Sequence, residues 1–263
     1  MYKYKFSLIL VGIGLLCWVM YPRQLVVTGE TMGTTYTVKI YTHFGHFQRY
    51  LKQSIESRLT ELNQSMSTYD TKSEISQFNE LNTIDMFLVS TDFYTVMNIG
   101  KKIHQWSKGA WDASVKPLVD LWGFSDSAPT QRLPREDQIK KVLKRVGFNN
   151  IYINENQSLQ KVEPYLKIDL SSIAKGYAVD TIADLLRDKG IRNFYIEIGG
   201  EVLVSGTKRN KALWRVGIYD PRKARDLMGV LEISNKALAT SGDYRQYFEQ
   251  NGIRYTHVID PRS

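Results

Sequence analysis

Apolar residues recur along the chain with two periods, and each period predicts an element. Leu51, Ile55, Leu59 and Leu62, spaced i, i+4 and i+3, mark one face of a helix. Val96, Ile99, Ile103 and Trp106 mark a second. A third carries Ile139, Val142, Leu143 and Val146, with Pro134 near its start and Gly147 as its stop. Between Val26 and Tyr41 the pattern is that of two short strands around Gly29-Glu30-Thr31-Met32-Gly33-Thr34, the second rich in β-branched and aromatic residues. Leu166, Ile168 and Leu170 alternate with Lys167 and Asp169 and predict a strand. Ile173, Ala174, Tyr177, Ala178, Ile182, Leu185 and Leu186 predict the helix after it, with Ser171 as its cap and Lys189-Gly190 at its end. Phe194 to Ile198 and Val202 to Gly206 read as strands separated by Gly199-Gly200, and Asn251-Gly252 joins two further runs, Tyr244 to Gln250 and Ile253 to Ile259, as a hairpin. Strands outnumber helices and hairpins outnumber crossovers, so the predicted class is α+β.

Composition narrows the function classes. At 263 residues, 43% apolar and 24% charged, the chain can bury a hydrophobic core and is not a disordered tail. Lys plus Arg is 35 and Asp plus Glu is 27, a net +8, which suits nucleic acid, a membrane surface or a polyanionic small molecule. No Lys/Arg block is interleaved with aromatics, so nucleic acid is not expected as a partner, and charge spread over a solvated surface is the plain reading. One cysteine excludes an internal disulfide framework and a thiolate zinc site. Four histidines without H-x-x-x-H spacing exclude a zincin site.

Residues 1–22 read as a signal peptide or membrane anchor. Lys3 and Lys5 precede an apolar run from Phe6 to Met20, broken only by Ser7, Gly12 and Gly14. The body, 23–263, is then exported and held at the inner membrane facing the periplasm; a buried N-terminal helix is the alternative. Cys17 stands where a lipoprotein signal keeps its acylated cysteine, but Leu16 replaces the usual small residue before it. A lipid anchor on Cys17 and an apolar cysteine in a membrane helix both stay open. The sequence stops at Asp260-Pro261-Arg262-Ser263, straight after a strand pattern, which reads as a truncated product.

Three places could carry chemistry. Asp169-Leu170-Ser171-Ser172-Ile173-Ala174-Lys175-Gly176 lies where a predicted strand meets a helix N-terminus, whose partnerless N–H groups suit a phosphate or a metal-bound phosphate. Ordinary capping beside a surface lysine is the competing reading. Trp111, Trp122 and Phe124, with Gly109 and Gly123 nearby, could wall a flat ring or sit as core aromatics in a turn. Thr240 to Tyr244 and His257 to Asp260 lie at one end of the predicted hairpin, where His257 could serve as a general base or be structural.

Taken in order, Gly29-Glu30-Thr31-Met32-Gly33-Thr34, Met66-Ser67-Thr68-Tyr69, Gly109-Ala110-Trp111-Asp112 with Pro117-Leu118-Val119 and Leu121-Trp122-Gly123-Phe124, Asp169 to Tyr177, Ile198-Gly199-Gly200-Glu201-Val202, Thr240-Ser241-Gly242-Asp243-Tyr244 and His257-Val258-Ile259-Asp260-Pro261 resemble the ApbE family, the FAD:protein FMN transferases. The resemblance implies antiparallel sheets packed with helices. It places Met32, Tyr69, Ala110, Trp111, Asp112, Asp169, Lys175 and Ile259 against FAD, Ser172 at Mg²⁺, and His257 in catalysis. The implied reaction moves FMN from FAD to a threonine or serine hydroxyl of an exported or membrane redox protein and releases AMP. An FAD pyrophosphatase and a non-catalytic exported flavin-binding protein are the alternatives. The chain departs from the family pattern at Glu201, where an amide is usual. It also ends before the family's acidic Ala-Asp-x-x-Asp motif, so the metal site is expected to be incomplete.

Overall fold

The computed structural model describes residues 23–42, 48–125, 133–221, 223, 226–243 and 247–263. The predicted signal or anchor with Cys17, and Tyr244, lie outside the described residues. In chain order the elements are β1 (Arg23–Thr31), β2 (Thr34–Thr42), α1 (Gln48–Met66), α2 (Glu74–Glu80), β3 (Phe87–Leu88), α3 (Thr91–Trp106), α4 (Lys116–Leu121), α5 (Glu136–Leu143), β4 (Ile151–Asn154), β5 (Ser158–Lys161), α6 (Ser171–Asp188), β6 (Phe194–Ile198), β7 (Glu201–Ser205), β8 (Trp214–Tyr219), β9 (Leu227–Ile233), β10 (Lys236–Leu238), β11 (Tyr247–Gln250) and β12 (Ile253–Thr256). Every strand pairing is antiparallel, which bears out the α+β class. Among the described residues no helix is long and apolar enough to cross a membrane.

The chain forms two compact units, each built from two segments: the described residues up to Leu59 with Ala178–Ala239, and Thr60–Tyr177 with Thr240–Ser263. The first unit holds a five-stranded sheet in the order β1-β2-β6-β7-β10. Its strands alternate as period-two patterning requires. Leu25, Val27, Tyr36, Val38, Ile40, Phe194, Ile196 and Ile198 are buried on one face. On the other, Val202 and Val204 pack with Trp214 and Val216 of the β8–β9 ribbon. Each such side chain, fully buried, contributes about 1.5–3 kcal/mol. β1 and β2 pair from Arg23↔Thr42 to Thr31↔Thr34, so Met32-Gly33 alone connects them. Both have positive φ, 50° and 68°, the backbone of a type I′ turn. Glycine adopts it freely; methionine does not.

The second unit holds α2 to α5, the sheet β3-β5-β4 and the hairpin β11–β12. Asn251 and Gly252 turn that hairpin with φ of 54° and 75°, as their sequence predicts. Its second strand stops at Thr256, so His257 to Ile259 lie beyond the ladder.

Two further predicted features differ. Ile99 and Trp106 are exposed, and α3 buries Phe93, Val96, Met97 and Gly100 instead, because Gly100 seats a ring described below. The segment predicted as a strand over Leu166 to Leu170 pairs with no strand among the described residues. Its burial alternates correctly, with Leu166, Ile168 and Leu170 inside. Its hydrogen-bonding partner is a side chain: the Ile168 N–H donates to Asn79 Oδ1 at 2.7 Å, and Asn79 Nδ2 donates back to the Ile168 carbonyl at 2.9 Å.

Candidate active site

The segment held by Asn79 delivers the chain to the start of α6. The Asp169 N–H donates to the Ala113 carbonyl at 2.7 Å, and the Asp169 carboxylate accepts the Ser171 N–H at 2.7 Å. Ser171 is therefore a helical residue, and the capping oxygen comes from Asp169. The next residue, Ser172, is exposed, and its hydroxyl oxygen accepts the Trp111 indole N–H at 2.9 Å. Lys175, one turn along on the same face, makes no ion pair among the described residues. The first turn of the helix adds partial positive charge. Together these groups form a cationic corner, rich in donors and edged by an indole.

Trp111 owes its position to the end of α3. Gly109 and Lys108 donate to the carbonyls of His104 (2.9 Å) and Gln105 (3.2 Å), both with positive φ, which closes the helix in a Schellman motif and reverses the chain. The indole then lies on α3 at Gly100, where an added Cβ would stand 2.7 Å from Trp111 Cη2. Phe148 packs tilted against it at 6.2 Å and stacks on His104 at 5.2 Å. A carbonyl only accepts, so His104 Nδ1 carries the proton it shares with the Trp111 carbonyl at 2.9 Å. Asp112, 7% exposed, accepts the N–H and hydroxyl of Ser114 (2.8 and 2.6 Å) on one oxygen and the Phe148 N–H (2.8 Å) on the other. Its carboxylate is committed to holding this loop, and Ala110 beside it is exposed.

His257 is placed by a second aromatic series. α4 ends in another Schellman motif, with Gly123 donating to Asp120 and Phe124 to Val119, each at 3.0 Å. Trp122 stacks on Tyr255, Tyr255 on Phe248, and Phe248 on Phe124. Phe124 meets the half-buried His257 edge-on at 6.5 Å. Trp122 and Phe124, read from sequence as walls for a flat ring, thus dock the β11–β12 hairpin, and Trp111 alone of the three edges the cationic corner. Beyond the half-buried Ile259, the Asp260 carboxylate is paired by both ends of the Arg262 guanidinium, at 2.9 and 2.7 Å, which hold its pKa down at about 2. The Arg262 methylenes lie 3.8–3.9 Å from where a Cβ on Gly109 would stand, so this tail runs beside the turn that leads into Trp111.

Tyr69 is 77% exposed on a loop braced by Ser67, and Met32 occupies its turn in the other unit. For a metal, Ser172 offers one hydroxyl oxygen. Among the described residues no group of three or more His, Cys, Asp or Glu side chains could hold an ion. Magnesium prefers octahedral oxygen ligation that includes carboxylate, so the described residues do not by themselves fit it. Sequence reasoning passed over Asn79, His104, Phe148, Phe248 and Tyr255. A polar residue inside a short helix and aromatics in separate segments leave no periodic signal.

The ApbE family model matches residues 32–263. The FAD:protein FMN transferase of Vibrio cholerae is 40% identical over 241 residues, 91% of this chain and 72% of that protein. That of Haemophilus influenzae is 36% identical over 250 residues, 92% of this chain and 72% of that protein. A solved structure of the Vibrio cholerae flavin transferase ApbE superposes with a TM-score of 0.82 at 38% identity, covering 91% of this chain and 77% of that one.

Proposed function

From its membership of the ApbE family, which the chain plainly shares, we propose that it moves the FMN moiety of FAD onto a threonine or serine hydroxyl of an exported or membrane redox protein and releases AMP. The observation that carries the reading is the corner at the start of α6, where Trp111 donates to Ser172 beside Lys175. A diphosphate is the ligand such a corner suits: helix N–H groups and a lysine meet its charge, and the indole offers an apolar edge. Tyr69, with its ring in solvent, is available to stack on a flat ring.

In the transfer, the acceptor hydroxyl oxygen forms a bond to the phosphorus nearest riboflavin. The phosphoanhydride bond to AMP breaks, and AMP leaves with the bonding pair. The hydroxyl proton must go to a base, and His257, held by Phe124, takes that role. Lys175 and the helix start hold the diphosphate in line for attack. Mg²⁺ belongs to the reading because a bound divalent ion would neutralise the diphosphate and the departing AMP. Among the described residues the donors fall short of a magnesium site, so no step is assigned to the ion. Residues 1–22 would tether the body to the inner membrane on its periplasmic side.

The test is incubation of the full chain with FAD, Mg²⁺ and a peptide bearing a Ser/Thr acceptor motif. Transfer yields a fluorescent peptide and an equal amount of AMP. AMP with an unmodified peptide identifies a pyrophosphatase, and FAD bound but intact identifies a flavin-binding protein without catalysis.

A further inference from the structure

The five-stranded sheet has two ends of opposite character. At one, the turns Met32-Gly33 and Gly199-Gly200 sit together, with the Gly199 N–H donating to the Thr35 carbonyl at 3.1 Å. At the other, the registers Arg23↔Thr42, Ile40↔Phe194, Phe194↔Ser205 and Lys236↔Val204 bring together the start of β1, the end of β2, the start of β6, the end of β7 and the start of β10. Three connections close this second end: 189–193, 206–213 and 234–235. They are tied to one another and to β2. Tyr41 N–H donates to the Asn193 carbonyl (3.0 Å), Thr207 N–H to Asn193 Oδ1 (3.0 Å), Gly206 N–H to Asn235 Oδ1 (2.8 Å), and the Ser234 hydroxyl to the Gly206 carbonyl (2.6 Å).

The charged residues of these connections are Lys189, Arg192, Lys208, Arg209 and Lys211, with no Asp or Glu among them, and Lys236 opens β10 beside them. Arg192, Lys211 and Lys236 are exposed, and with Lys208 they make no ion pair among the described residues. Leu213, beside them, is 40% exposed. Part of the chain's basic excess is therefore gathered at one end of one sheet.

We propose that this basic end is a docking surface for an anionic lipid bilayer, which seats the sheet on the headgroups with the Met32-Gly33 end turned away. The inference rests on the reading of residues 1–22 as a membrane segment. β1 begins at this end, so a segment preceding Arg23 brings these loops to the surface before any other part of the sheet. Nucleic acid would meet the same charges without any apolar contribution from Leu213 or any such tether. One hydrophobic anchor and a polybasic patch together hold a protein at a membrane more firmly than either alone. Each Lys or Arg near an anionic surface is worth roughly fivefold in partitioning. At about 3.3 Å per residue, the nine residues of β1 put the Met32 turn about 30 Å from the seated end.

The full chain is mixed with vesicles of phosphatidylcholine alone, or of equimolar phosphatidylcholine and phosphatidylglycerol, and amide hydrogen exchange is followed by mass spectrometry. The expected result is exchange slowed several-fold in 206–213 and 234–236 by the anionic vesicles only, lost in high salt and lost in a Lys208→Glu, Lys211→Glu, Lys236→Glu variant that keeps the wild-type melting temperature. The salt arm decides the matter if that variant does not fold. Flotation with the neutral vesicles reads the anchor separately. A chain that fails to float there lacks one, and the basic end must then still bring it to the anionic vesicles at low salt. No protection of these loops, protection of the Met32-Gly33 end instead, or stronger protection by duplex DNA than by anionic vesicles overturns the proposal.

Discussion

At the approach to α6 one buried amide stands in for a strand. Asn79 satisfies both the N–H and the carbonyl of Ile168, and the residues that follow enter the corner. Asn79→Ala leaves both groups buried and unpaired, at about 1–3 kcal/mol each. The expected result is weaker FAD binding by fluorescence titration, beyond that in a Leu159→Ala control of equal melting temperature. Equal weakening in both would reduce Asn79 to general stability. Asp112→Ala strands the Ser114 and Phe148 N–H groups and should cost about 3 kcal/mol in urea unfolding. His257→Ala should lower turnover by about 10²–10⁴-fold with little change in FAD affinity, since a base acts on the proton and not on the bound dinucleotide. Lys161 gives the pH signature. It is buried over the Phe78 ring, donates to the Leu81 and Pro164 carbonyls, and is pushed down to about 8, first by burial and then by the charge of Lys167. The unfolded chain, with the ordinary value of 10.5, binds more protons between the two values. Stability therefore rises with pH across that window, and below it the cost of the buried charge is present in full. Urea midpoints at either edge of the window should show the rise in wild type and its loss in Lys161→Met.

Elements position the reactive groups through their ends, and those ends were unevenly legible. The Asn-Gly and Gly-Gly turns and the Lys189-Gly190 helix end could be read because their chemistry is local: Gly190 and Ile191 donate to Arg187 and Leu186, each at 2.9 Å, in the capping pattern glycine signals. The segment before α6 could not, since alternation reports burial and Asn79 supplies pairing from 89 residues away. Trp122 and Phe124 were found as residues but not by role, because Phe248 and Tyr255 reach them only through the fold. Gly100 was hidden for the same reason. Helix propensity favours Gly100→Ala by about 1 kcal/mol, but the new Cβ meets Trp111. The substitution should lower the melting temperature and weaken FAD binding together. A stabilised protein with unchanged binding would show that the indole is free to move.

At the scale of the whole molecule, each unit takes in two stretches of chain, so motifs far apart in sequence fall within one unit. The order of the motifs identified the family, yet no periodicity announced which belonged to which unit. Trp111, Asp169, Ser172, Lys175 and His257 share one unit, and Met32 belongs to the other. The proposed reaction takes FAD apart at its diphosphate and delivers FMN to a hydroxyl. Mass spectrometry of a Ser/Thr acceptor peptide after incubation with the full chain, FAD and Mg²⁺ tests it most directly. The expected result is a peptide heavier by one FMN phosphoester on the hydroxyl, with one AMP per adduct. A peptide of unchanged mass, with FAD intact, would contradict it.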